Sequence, residues 1–234
     1  MAWRVGIAAV LVVSLVAGCD SLPGRPRESD RPISPSQVKS FARLYDENCA
    51  GCHGAHGRFG AAYELADATY QALVDDATLK RIISNGIAGT AMPAFAQTAG
   101  GYLTTAQIAI LVDGMRQRWK TGRPLVDAPP YAGPDGDPGR GARTFAQSCA
   151  PCHGPKGEGG EKAPGSITDP SYLALVSDQS LRTLIIAGRS DLGHPDWRGY
   201  PPGQPLSAEQ VADVVAWLAA RRQHFQGAVY ARNR

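Results

Sequence analysis

Cys49-Ala50-Gly51-Cys52-His53, followed by Gly54, is the stretch that decides the fold. Cys149-Ala150-Pro151-Cys152-His153 repeats it 100 residues later, again followed by a glycine. Two cysteines separated by two residues and followed at once by histidine are the signature of covalent haem attachment. The order is chemical: the two thiols add across the vinyl groups of the porphyrin, and the adjacent histidine is held under the iron. A zinc site would need further ligands, and the one remaining cysteine, Cys19, sits in a different context. A thioredoxin-like dithiol belongs at the end of a strand in a βαβ pattern, which the sequence lacks. Two copies of the signature therefore predict two covalently bound haem c groups, one on Cys49, Cys52 and His53, the other on Cys149, Cys152 and His153.

The chain has 234 residues, which suits one or two domains. Each signature can claim only a segment too small for a generous apolar core, and a buried haem supplies part of the missing mass. The formal charge is +3 and no basic run marks a nucleic-acid surface, so nucleic acid is not expected as a partner. The N-terminus says more. A short basic start, Met1 to Arg4, leads into an almost unbroken apolar stretch from Val5 to Val16, then Ala17-Gly18-Cys19. The stretch is too short for a comfortable transmembrane helix and ends in small residues, as a secretory signal does; an uncleaved anchor is the alternative. It resembles the lipobox of bacterial lipoproteins. That resemblance implies removal of residues 1–18 and an acylated Cys19 as a membrane tether, stable when more than one chain is attached. Asp20 resembles a signal for retention at the inner membrane, which implies the periplasmic face of the bacterial cytoplasmic membrane, with the outer membrane left open. Residues 20–35 have four prolines and no hydrophobic period. They read as a semi-extended spacer reaching ~50 Å at about 3.1 Å per residue, or as a segment lying against a partner protein.

From Ser36 a helical pattern runs into the first motif, with Val38, Phe41, Leu44 and Tyr45 on one face. Gly54, Gly57 and Gly60 mark a loop. Asp75 or Asp76 can cap a helix carrying Leu79, Ile82 and Ile83, ended by Gly86. Thr104-Thr105-Ala106-Gln107 reads as a capping box that opens a helix through about Lys120. Residues 121–138, rich in Pro, Gly and Asp, form a linker. The second half repeats the order: a leading helix from Arg140 to Ser148, the motif, glycines at 154, 157, 159 and 160, then a helix from Leu181 to Ala187 stopped by Gly188. A second capping box, Ser207 to Gln210, starts a helix reaching about Gln223. Tyr172-Leu173-Ala174-Leu175-Val176 echoes Tyr70-Gln71-Ala72-Leu73-Val74. No strand is needed, and the tail 226–234 reads as frayed.

This is an internal repeat of one small helical unit, and each unit resembles a class I cytochrome c domain, over residues 36–121 and 139–225. The resemblance implies an all-α fold of two tandem domains wrapped around covalent haems. It also implies a methionine ligand opposite the histidine, supplied by a loop ahead of the last helix and often followed by proline. Met92-Pro93 fits that position, while Met115 lies on the amphipathic C-terminal helix and reads as core. The second half has no methionine. Aligning the stop glycines Gly86 and Gly188 puts Met92 six residues after the first and His194 six after the second, each before a proline. His194 is therefore the expected second ligand of a bis-histidine haem with His153; a loop histidine that leaves the iron open is the alternative. His56 and His224 read as surface residues. The family also crosses its first and last helices at a glycine against an aromatic residue. Gly141 and Trp217 match in the second half, whereas Phe41 and Gly114 hold the exchanged positions in the first.

Thioether ligation raises a haem's reduction potential relative to a second imidazole. The sequence thus predicts unequal haems, with electrons passing downhill from the second half to the first. The leading expectation is a lipid-tethered electron carrier between redox proteins, or a subunit of a respiratory or photosynthetic membrane complex, with no enzymatic activity of its own. Dihaem thiosulfate dehydrogenases resemble this layout but use a cysteine ligand at the catalytic haem, and all five cysteines here are otherwise assigned. Peroxidase chemistry or gas sensing would need an open second iron.

Overall fold

The computed structural model describes residues 32–120, 125–163, 165–199, 201 and 203–223. The expectations for the signal peptide, acylated Cys19, His224 and the tail 226–234 lie outside the described residues. Two compact units are present. In the first, residues 1–37, the described part holds a 3-10 turn at Pro35–Gln37. The second, residues 38–234, holds both motifs.

Ten α-helices form the described part of that second unit: α1 (Phe41–Asn48), α2 (Ala50–His53), α3 (Ala68–Leu73), α4 (Asp76–Asn85), α5 (Thr105–Trp119), α6 (Pro138–Ser148), α7 (Ala150–His153), α8 (Pro170–Leu175), α9 (Asp178–Ala187) and α10 (Ala208–Ala219). No strand occurs among the described residues, so the all-α reading holds. The helix starts follow side-chain caps. Asp75 accepts from the Thr78 amide at 2.7 Å, Asp137 from the Arg140 amide at 2.7 Å, and Ser177 from the Ser180 amide at 3.1 Å. Both expected capping boxes form, Thr104 with Gln107 and Ser207 with Gln210. The leading helix begins at Phe41, not Ser36, because Ser40 turns out of the helix and caps the Arg43 amide. The last helix ends at Ala219, short of Gln223.

Leu44, Leu79, Ile83, Ile108, Leu111, Val112 and Met115 build the core of the first half, so Met115 is core as expected. Phe145, Leu173, Leu181, Val214, Trp217 and Leu218 build that of the second. A third cluster ties the halves together: Ile186, Trp197, Leu206 and Val211 pack with Leu73 of α3 and with Leu125 and Ala128 of the linker. The linker is strapped down further by Arg182, only 5% exposed, whose guanidinium donates to the carbonyls of Pro130 (2.8 Å) and Tyr131 (3.1 Å).

The exchanged crossing of first and last helices is borne out by contact. A Cβ on Gly114 would fall 2.0 Å from the Phe41 ring, and one on Gly141 would fall 2.0 Å from the Asp213 carbonyl and 2.8 Å from the Trp217 Cβ. Each half also holds its short helix with one arginine. Arg116 of α5 donates to the carbonyls of Gln71 and Val74 and pairs with Asp76 at 2.7 Å. Arg222, beyond α10, donates to Leu173 (2.8 Å) and Val176 (3.0 Å) and pairs with Asp178 at 2.8 Å. These carbonyls sit at the open ends of α3 and α8, where a helix leaves acceptors unsatisfied.

Asp213 of α10, buried beside the crossing, accepts from the Asp137 amide (2.7 Å) and from Arg140 Nε (2.7 Å) and Nη2 (2.8 Å). The Arg140 hydrogen bonds hold its carboxyl below the ordinary aspartate value. A carboxylate depressed in the folded state contributes stability above its unfolded value of about 3.9, and loses it as the pH falls through the lower folded value. Asp213→Asn is expected to lower the melting temperature at pH 7 by several degrees and to flatten the acid limb of the melting-temperature profile. Equal displacement of the variant's curve at pH 7 and at pH 3 would contradict the linkage.

Candidate haem sites

Cys49 ends α1 and Cys149 ends α6, and a one-turn helix follows each and carries the second cysteine and the histidine. The four motif cysteines form no disulfide among the described residues. Burial pushes the Cys49 and Cys149 thiols up to about 12. Each also packs on the apolar core of its half. In the first site His53 Nδ1 donates to the Tyr63 carbonyl at 2.7 Å, which fixes the tautomer and leaves Nε2 as the free nitrogen. Tyr45 links α1 to this motif, its hydroxyl donating to the Gly54 carbonyl at 2.9 Å. Burial holds the His53, His153 and His194 rings below the ordinary imidazole value, which favours the neutral form.

The two loops ahead of the last helices are closed by the same hydrogen bond. The Ile87 amide donates to the Met92 carbonyl at 3.0 Å, and the Arg189 amide to the His194 carbonyl at 3.0 Å. Gly86 and Gly188 sit at φ +67° and +73°, and a Cβ on either would meet the loop's own carbonyls at 2.6–2.7 Å. Met92 and His194 therefore occupy one slot in two copies of one loop. The His194 and His153 ring centroids lie 5.7 Å apart with the rings tilted by 44°, and among the described residues neither Nδ1 has a hydrogen-bond partner. Two metal–imidazole bonds of about 2 Å, with the ring radii, call for about 6 Å between such centroids. The residues present thus fit a haem iron between His153 and His194. Met92 packs half-buried on the first core. His56 is exposed, as expected, and lines a surface groove with Phe41, Tyr45 and Trp119.

What the sequence did not disclose is that the two sites share a seam. Tyr63, whose carbonyl holds His53, donates its hydroxyl to the Gly188 carbonyl at 2.9 Å. The next residue, Glu64, is fully buried and accepts from the Ser190 hydroxyl and the Asp191 amide, both at 3.0 Å. Arg58 Nε stands 2.9 Å from its other oxygen. Arg189 grips Asp191 through two bonds of 2.8 and 2.9 Å and reaches the Gly60 carbonyl at 3.2 Å, while Asp191 accepts from the Phe59 amide at 2.8 Å. The Arg189 hydrogen bonds hold Asp191 well below the usual carboxylate range, whereas burial pushes Glu64 up. One signal was available: Arg189-Ser190-Asp191 stands where the first loop has Ile87-Ala88-Gly89, and these three polar side chains make the seam.

Comparison with known proteins agrees with this anatomy. Residues 36–113 match the family of cytochrome c oxidase, cbb3-type, subunit III, and residues 139–221 match the cytochrome c family. Among solved structures the chain is similar to a reducing HAO-like protein complex of Kuenenia stuttgartiensis, at 15% identity and a TM-score of 0.46, covering 82% of this chain and 100% of that one. It is also similar to a thiosulfate dehydrogenase of Marichromatium purpuratum in its as-isolated form, at 22% identity and a TM-score of 0.29. That match covers 85% of this chain and 50% of the other, so this chain spans half the dehydrogenase's length. The expectation of carriage with no enzymatic activity of its own is corrected by these neighbours, one of which is a dehydrogenase. The physical reason is that the cysteine–histidine spacing fixes how haem is attached and not whether a substrate reaches the iron. The chain is a dihaem c-type cytochrome: it has two tandem cytochrome c domains, which imply two covalently bound haem c groups.

Proposed function

We propose that the protein passes single electrons between redox partners through one His/Met and one bis-His haem of unequal potential, while tethered by an acylated Cys19 to the periplasmic face of a bacterial cytoplasmic membrane. The observation that carries the ligand reading is the matched pair of loops, with His194 in the slot of Met92 and its ring 5.7 Å from that of His153. In this reading Cys49 and Cys52 hold the first haem and Cys149 and Cys152 the second, with His53 and Met92, and His153 and His194, as the axial pairs. Each haem supplies a one-electron couple between ferric and ferrous iron. The chain's own residues set its poise: the Met92 thioether favours the ferrous state, and the His194 imidazole favours it less. Tyr63 orients the His53 ring through its carbonyl, and Pro93 and Pro195 keep the residues before them extended. The Cys19 tether and the spacer behind it suit a donor or acceptor at the membrane surface, as a shuttle or as a subunit of a respiratory or photosynthetic complex.

Low-temperature EPR of the oxidised protein tests the ligand reading. Two distinct low-spin ferric signals are expected, and the reduced protein should not bind carbon monoxide readily. A high-spin signal with carbon monoxide binding would show that the second iron is open and direct attention to substrate chemistry there.

A further inference from the structure

The seam does more than glue the halves together. Residues 63 and 64 grip the second ligand loop at three successive places: Tyr63 on the Gly188 carbonyl, and Glu64 on the Ser190 hydroxyl and the Asp191 amide. The same Tyr63 holds the first histidine at its other end, through the 2.7 Å bond from His53 Nδ1. A chain of three hydrogen bonds therefore runs between the two sites: His53 to the Tyr63 carbonyl, Tyr63 hydroxyl to the Gly188 carbonyl, and Arg189 amide to the His194 carbonyl. Little in it can yield. Gly188 is wedged against the carbonyls of His194 and Pro195, the Tyr63 ring lies 4.8 Å from that of Tyr70, and Asp191 is clamped by Arg189 on one side and by Phe59 on the other.

We propose that Tyr63 is a positioning residue that couples the two haems, so that the redox state of one alters the reduction equilibrium of the other. This rests on the reading of His53 and His194 as iron ligands. An imidazole on ferric iron is a stronger donor at its outer N–H than one on ferrous iron, because the added charge acidifies the ring. Oxidation at the first site thus tightens His53 on the Tyr63 carbonyl. The displaced tyrosine passes the strain through its hydroxyl to Gly188 and so to the backbone that carries His194. Coupling between sites is a free energy shared by both, so a change of redox state at the second site must shift the equilibrium of the first by the same factor.

The test is a redox titration of the whole protein with dithionite and ferricyanide, each haem followed by its own spectrum, in the wild type and in Tyr63→Phe. The variant keeps the ring and the carbonyl on His53 and removes only the hydroxyl. In the wild type, oxidising one haem is expected to change the equilibrium of the other by about fivefold or more, and in Tyr63→Phe by a factor near one. EPR of the same samples separates the two ideas. A high-spin second haem overturns the ligand reading and the coupling with it. Two low-spin haems with no interaction in the wild type, or with an interaction that survives in Tyr63→Phe, overturn the coupling alone and leave the ligands standing. Should the variant fail to take up haem, hydrogen exchange in the native protein decides. Between the half-reduced and fully oxidised states the first haem alone changes, and the amides of residues 189–194 are expected to change their exchange rate; unchanged exchange overturns the coupling.

Discussion

The His194→Met variant is expected to raise the reduction potential of the second haem while leaving it six-coordinate and low-spin, with a much smaller change at the first. Axial ligands and their surroundings move haem potentials over about 0.8 V, and exchanging imidazole for thioether should shift this one by on the order of 0.1 V. The structure makes the exchange reasonable because the loop already accepts methionine at that place in its other copy. The stop glycine, the closing hydrogen bond and the following proline are the same in both. His194→Ala should do the opposite of closing the site: a high-spin ferric signal appears and the reduced protein binds carbon monoxide at one haem. Spectroelectrochemistry of both variants checks the pair. An unchanged second potential in His194→Met would remove His194 from the iron.

Gly141→Ala should be the most damaging small substitution in the second domain. Its Cβ would lie 2.0 Å from the Asp213 carbonyl oxygen, and a helix backbone cannot step aside as a side chain can. Alanine gains about 1 kcal/mol of helix propensity over glycine. Overpacking of this severity costs about 3 kcal/mol or more, and the net loss of about 2 kcal/mol lowers the melting temperature of a chain of this size by roughly 4–8 °C. Gly114→Ala in the first domain meets the ring of Phe41 instead, also at 2.0 Å, and a ring can turn. The loss there should be smaller, and Phe41→Leu should recover part of it as a non-additive pair. Recovery will not be complete, because Phe41 also stacks on Tyr45 and carries the Arg118 guanidinium 4.2 Å from its ring centre. Thermal melts of the four holoproteins decide. Equal losses at Gly141 and Gly114 would mean that the two crossings are not distinguished by backbone against ring.

The local signals in the sequence were legible where the chemistry is local. The cysteine–histidine motifs, both capping boxes, the stop glycines and the equivalence of Met92 with His194 each depend on residues within one turn or one loop, and each is found in the structure as a contact. The start of α1 was misplaced because Val38 is buried like a helical residue although it precedes the Ser40 cap. The helices α3 and α8, six residues each, are too short for a hydrophobic period to declare itself, and only the Tyr-x-Ala-Leu-Val echo marked them. The arginine clamps escaped notice because Arg116 and Arg222 reach carbonyls more than 40 residues away in the chain, and because they leave the last helices at different positions. The seam escaped for the same reason, its bonds spanning 125 to 132 residues. The Pro, Gly and Asp composition of residues 121–138 reads as a linker, but composition does not show that Arg182 collects the carbonyls of Pro130 and Tyr131.

That strap changes what the repeat can be used for. A guanidinium taken out of water and held by the carbonyls of Pro130 and Tyr131 loses both acceptors if that part of the linker is removed, and parting the halves takes Ser190 and the Asp191 amide from Glu64 and leaves it Arg58. Each half carries a complete attachment motif, yet both lie in one compact unit whose seam shares hydrogen bonds between them. Moving one copy of the repeat without the other would bare that seam, so the two motifs belong to a single folded object.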